Sequence, residues 1–133
     1  MQFASIRIIT DDLNRLVSFY EQITGMPAER PAPPFAVFVM PSVTLAIGHS
    51  HTVALFGAGS ARAADNHSMI IEFRVDDVDA EHARLQNLVE NWVQEPTTMP
   101  RGNRSTLFRD PDGNLVNLFT PASEEAIQRF RGR

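Results

Sequence analysis

FRDPDGNLVNLF, residues 108–119, is an apolar strand that enters Asp-Pro-Asp-Gly-Asn and leaves as a second apolar strand. Pro111 presets φ for the second position of a turn, and Gly113 can take the positive φ that closes it. The stretch therefore predicts a β-hairpin. Asn117 stands inside the returning strand, where alternation admits any half-buried residue. A carboxylate there would suggest a metal site; this chain carries an amide.

The hairpin closes a longer pattern. SMIIEFRVDD reads as a strand ending in an acidic pair, and VDAEHARLQNLVENW has helical period as far as Trp92. The longer stretch TTMPRGNR reads as a loop before the STLFRD strand. The same order stands earlier in the chain. FASIRIITDD alternates as a strand and ends in Asp11-Asp12, either of which can cap the helical segment LNRLVSFYEQITG. Leu13, Leu16, Val17, Tyr20 and Ile23 recur on one helical face, and Gly25 suits the position just past its end. PAERPAPP reads as a Pro-rich connection, and FAVFVM and VTLAIG flank a tight turn at Pro41-Ser42. Aligning Asp12 with Asp77 offsets the two patterns by 65 residues. Shared element order and a shared Asp-Asp junction mark an internal repeat. The expected layout is one domain over 1–133: module one 1–48, a Gly/Ala/Ser-rich linker 49–67, module two 68–121 and a tail 122–133. The linker includes TVALF as a short edge strand; the tail is a short helix capped by Ser123.

Two tandem βαβββ modules of this size resemble the vicinal oxygen chelate superfamily of glyoxalase I, extradiol dioxygenase and bleomycin-resistance proteins. The most specific parts are RIITDDLNRLVSFY, IIEFRVDDVDAEHARL and FRDPDGNLVNLF. The resemblance implies an α+β fold whose mixed sheet forms a cup, with helices on the convex side. It also implies metal ligands at four cup-facing positions, which here fall on Ser5, Ala46, Ile70 and Asn117. Hard divalent cations want imidazole nitrogen or carboxylate oxygen, and this set offers neither. The expectation is no metal and no cofactor. His49, His51 and His67 lie in or beside the linker, and His82 on the second helix. They read as solvated histidines or, alternatively, as a replacement metal site.

Alternation places Ser5, Arg7 and Ile9, then Ile70, Glu72 and Arg74, then Leu115, Asn117 and Phe119 on the cup face. Thr44, Ala46 and Gly48 add small residues that leave volume, while Trp92 and Tyr20 read as helix-side core. The expected ligand-binding set is Ser5, Arg7, Ala46, Ile70, Glu72, Asn117 and Phe119. Arg7, Glu72 and Asn117 supply direction; the bland alternative is an Arg7–Glu72 ion pair inside a filled cup. Function then divides three ways: a metal-free binding protein for a small amphipathic or aromatic molecule; an enzyme of the same superfamily (lyase, isomerase or dioxygenase) acting on a small molecule with relocated metal ligands or none; or an accessory domain. In the metal-free enzyme Glu72 is the general base and Arg7 stabilises an enolate-like anion.

Bulk properties narrow the partners. The formal net charge is −4 with scattered Arg residues, which argues against nucleic acid and against an anionic membrane surface. The chain lacks cysteine, so thiolate chemistry and disulfides are excluded. No apolar run is long enough for a transmembrane helix and no export signal stands at the start, so a soluble cytoplasmic protein is expected. Exposed sheet edges and apolar rims predict a homodimer.

Overall fold

A computed structural model describes residues Met1–Arg133. It divides into two compact units: residues 1–66 with 111–113, and residues 67–110 with 114–133.

In the first unit β1 (Ser5–Thr10) is followed by α1 (Leu13–Thr24), β2 (Glu29–Ala32), β3 (Phe35–Val39) and β4 (Thr44–His49). The sheet order is β1-β4-β3-β2, with β1 and β4 parallel and the other pairs antiparallel. The Asp12 carboxylate accepts from the Arg15 N–H at 3.2 Å and starts α1. Gly25, at φ +70°, donates its N–H to the Glu21 carbonyl and ends it. The apolar face of α1 buries Leu16, Val17 and Tyr20 completely. Beneath it lie two cross-strand rows, Ile8–Ile47–Ala36 and Ile6–Leu45–Phe38. Truncating one of these large side chains to Ala costs about 2–5 kcal/mol, because a packed interior closes only partly over the hole.

The second unit repeats the plan. β5 (Ile70–Arg74), α2 (Val78–Arg84), β6 (Asn91–Thr98), β7 (Asn103–Arg109) and β8 (Leu115–Pro121) give the order β5-β8-β7-β6, with β5 and β8 parallel. Asp77 caps α2 as Asp12 caps α1. Ile71–Val116–Phe108–Trp92 form a helix-side row under α2, where Val78, Leu85 and Val89 are buried. The β7–β8 hairpin is pinned at its base: Asn114 donates backbone N–H and side-chain amide to the two Asp110 carboxylate oxygens at 3.0 and 2.8 Å. Gly113 has φ +86°, as the turn requires. α3 (Glu124–Phe130) starts at Ser123, whose hydroxyl accepts from the Ala126 N–H. The fold is α+β, two tandem βαβββ modules.

Four expectations are corrected. The segment read as one helix to Trp92 stops at Arg84; a turn follows, and Trp92 stands in a strand opposite Phe108. Helical period persisted because Leu85 and Val89 sit one turn apart and are both buried, with the Val89 N–H still bonded to the Leu85 carbonyl. Much of the supposed TTMPRGNR loop belongs to β6 and β7, leaving a turn at 99–102. PAERPAPP contains β2, an edge strand; Pro31 there, like Pro96 in edge strand β6, needs no inward ladder bond. The supposed TVALF strand is a 3₁₀ segment, Ser50–Leu55, anchored by buried Val53.

Candidate functional site

Each sheet has one face under α1 or α2 and an opposite, open face, part of which α3 covers in the second unit. Strand register groups the open-face residues. In the first unit Ser5 stands opposite Thr44, Arg7 opposite Ala46, and Ile9 opposite Gly48. In the second, Ile70 faces Leu115, Glu72 faces Asn117, and Arg74 faces Phe119. Arg7–Ala46 and Glu72–Asn117 thus hold equivalent places in the two modules, which supports placing Ala46 at the site of Asn117.

On the first unit's open face the Arg7 guanidinium lies 4.6 Å from the Phe35 ring centroid and 5.2 Å from that of Phe56. Phe35 comes from β3, while Phe56 follows the 3₁₀ segment. The aliphatic stem crosses Gly48, passing 3.6 Å from where a Cβ would stand. Aromatic faces attract the cation without using its N–H groups, which stay available for an anion. Ala46 is buried in this arrangement and Ser5 is exposed.

On the second unit's open face Asn117 Nδ2 donates to Glu72 Oε2 at 2.8 Å. Asn117 is only 8% exposed, and its Oδ1 is buried with no hydrogen-bond partner. A covered acceptor without a donor costs about 1–3 kcal/mol, so the fold tolerates a strained polar group here. The row continues through half-buried Leu107 to Gln94. Ile70 is half exposed. Phe119, expected to touch ligand, is instead covered by the chain's own Phe130, with ring centroids 5.3 Å apart. Arg74 is turned toward that tail, donating to the Phe130 and Arg133 carbonyls. This covering was invisible in sequence, since a short amphipathic helix does not reveal which sheet face it meets.

The positions of Ser5, Ala46, Ile70 and Asn117 do not fit a divalent metal: one hydroxyl, two hydrocarbon side chains, and an amide already bonded to Glu72. No group of three or more His, Asp or Glu side chains stands together in ligating geometry. His49 and His51 do meet, with their Nδ1 atoms 2.6 Å apart. His49 Nδ1 also accepts from the His51 backbone N–H at 3.1 Å. They flank a cavity of about 380 Å³ beside Asp12 and Pro34. His82 lies against Trp92 on the helix side of the second sheet, with ring centroids 4.4 Å apart and the rings tilted by 59°.

A family model for the Glyoxalase/Bleomycin resistance protein/Dioxygenase superfamily matches residues 2–118. The chain belongs to this superfamily. It is 26% identical over 115 residues to the uncharacterized protein YwbC of Bacillus subtilis (strain 168), covering 84% of this chain and 91% of YwbC. Among solved structures, a glyoxalase/bleomycin resistance protein/dioxygenase family enzyme from Burkholderia phytofirmans PsJN superposes with a TM-score of 0.80 at 16% identity. The match covers 91% of this chain and 99% of that one. A lactoylglutathione lyase from Agrobacterium tumefaciens gives 0.67 at 22% identity, with 89% and 92% covered. At such identities these structures establish the superfamily fold. No helix of the chain is long and apolar enough to cross a membrane.

Proposed function

We propose that this superfamily member is a metal-independent binding protein, taking a small amphipathic or aromatic molecule on the open faces of its sheets. The observation that carries the reading is the Glu72–Asn117 couple: a positioned carboxylate beside a buried, partnerless amide oxygen, with apolar Leu107 next in the row. Pockets for small ligands have this make-up, mostly apolar walls with a few fixed polar groups. Arg7, backed by two aromatic rings, offers the corresponding directional group on the other sheet. The side chains at the family's ligand positions lack the chemistry to hold a hard cation, which supports metal independence.

The test combines metal analysis of freshly purified protein with amide chemical-shift mapping against small amphipathic aromatics. Saturable shifts at Arg7, Ala46, Glu72, Leu107 and Asn117, without stoichiometric metal, are expected. A bound equivalent of Zn, Ni, Fe or Mn overturns metal independence; shifts confined to the helices overturn the site. A second reading keeps Glu72 as a general base, a role suited to a carboxylate oriented by an amide donor. Turnover abolished in Glu72→Gln with binding retained would select it. The same proposal includes pairing of two chains, supported by exposed Val39, Met69 and Val93 and by the free edges of β2 and β6.

A further inference from the structure

We infer that the ligand of the second unit's open face is a cationic N–H donor: a small amine, amidine or guanidine on an apolar body. The inference rests on the binding reading above and narrows it to a chemical class. Asn117 has its amide donor committed to Glu72, and the opposite amide orientation would set an oxygen against a carboxylate oxygen, two acceptors face to face. Oδ1 is therefore the atom left without a partner. Only a donor can relieve it.

Glu72 adds a charge whose direct partner is the neutral Asn117 amide. Arg84 and Arg104 of the same unit pair instead with Glu81 and Asp79. Arg74, two residues along the same strand, is held by the tail carbonyls and the Phe130 ring. Arg109 stands one row away, opposite Leu115, and has partners of its own. The face thus presents a carboxylate and an orphaned amide oxygen side by side, rimmed by Leu107, Leu115 and half-exposed Ile70. Oδ1 is covered, so a ligand reaches it only when a rim side chain shifts while the Glu72–Asn117 bond stays in place. A cationic donor then gains both acceptors at once, whereas a carboxylate ligand meets two acceptors and a like charge.

Three probes sharing one ring decide the matter: benzamidine, benzamide and benzoate, titrated into the full chain and followed by amide chemical shifts. Benzamidine should shift Glu72, Leu107 and Asn117 saturably and bind at least tenfold more tightly than benzoate, with benzamide between. Glu72→Gln and Asn117→Leu should each weaken benzamidine at least fivefold. Glu72 is exposed, so its variant should keep the wild-type melting temperature and stand alone if Asn117→Leu does not fold. Benzoate binding at these residues as tightly as benzamidine overturns the donor class while leaving the binding reading intact. Benzamidine affinity unchanged in Glu72→Gln overturns the donor class too. If no probe shifts this face, both fall.

Discussion

At the scale of single residues, the most telling side chains are those whose partners set their charge or position. Arg104 grips Asp79 with two hydrogen bonds, Nε to Oδ2 at 2.8 Å and Nη2 to Oδ1 at 3.0 Å, tying the first turn of α2 to β7. The hydrogen bond from Arg104 lowers the Asp79 carboxyl below its ordinary value of 3.8, and the guanidinium charge adds to this. A depressed native value means stability that is present above pH about 3.8 and lost as pH falls through the native value. Asp79→Asn should therefore lose a little stability at pH 7 and show a flatter acid limb than wild type. Urea unfolding at pH 7 and pH 3 checks this; the pair is exposed, so a steep loss at pH 7 would contradict the account.

At the scale of elements, the junction of the β6–β7 turn with α3 has no room for a side chain at Gly102. Gly102 has φ +95°, and a Cβ placed there would stand 1.8 Å from Ser123 Oγ and 2.6 Å from its Cβ. The Gly102 carbonyl accepts from both the Ala122 and Ser123 N–H groups, so Ser123 cannot retreat without releasing them. Gly102→Ala should destabilise the protein by about 1–3 kcal/mol, from the positive φ and the collision together. Thermal or urea unfolding reads the loss. Because α3 carries Phe130 over Phe119, the variant should also expose Phe119, seen as faster exchange of the β8 amides. An unchanged β8 would show that the tail holds without Ser123.

At the scale of the whole molecule, each sheet ends in an edge strand, and several large apolar side chains stand in water, among them Phe3, Val39, Met69 and Val93. Natural proteins seldom leave such surface open, and a two-fold pair covers it with one self-complementary patch. Light scattering at micromolar concentration should give twice the chain mass of 14.9 kDa. A mass of one chain, constant over a hundredfold dilution, would count decisively against pairing.

By itself the sequence determined the repeat, the caps and the strand faces, because each depends on neighbours within a few residues. Ser123 caps α3 as expected, and of the Asp11–Asp12 pair it is Asp12 that caps α1, each through the N–H three residues on. Strict alternation sorted Arg7, Glu72 and Asn117 to the open faces before any register was known. That Ser5, Ala46, Ile70 and Asn117 stand where metal ligands would be expected came from the resemblance to the superfamily, and not from alternation. The remaining features depend on pairings between distant residues. Trp92 left a helical period because Phe108 offered a strand partner, and Pro31 entered a strand because the sheet edge tolerates it. Arg7 met Phe56 rather than an acidic partner, and Phe130 closed over Phe119. Apolar and cation–π contacts are non-directional along the chain, so periodicity carries no signal of which distant ring will supply them. The orphaned oxygen of Asn117 belongs to this second class: its residue was found by alternation, but its missing partner only by packing.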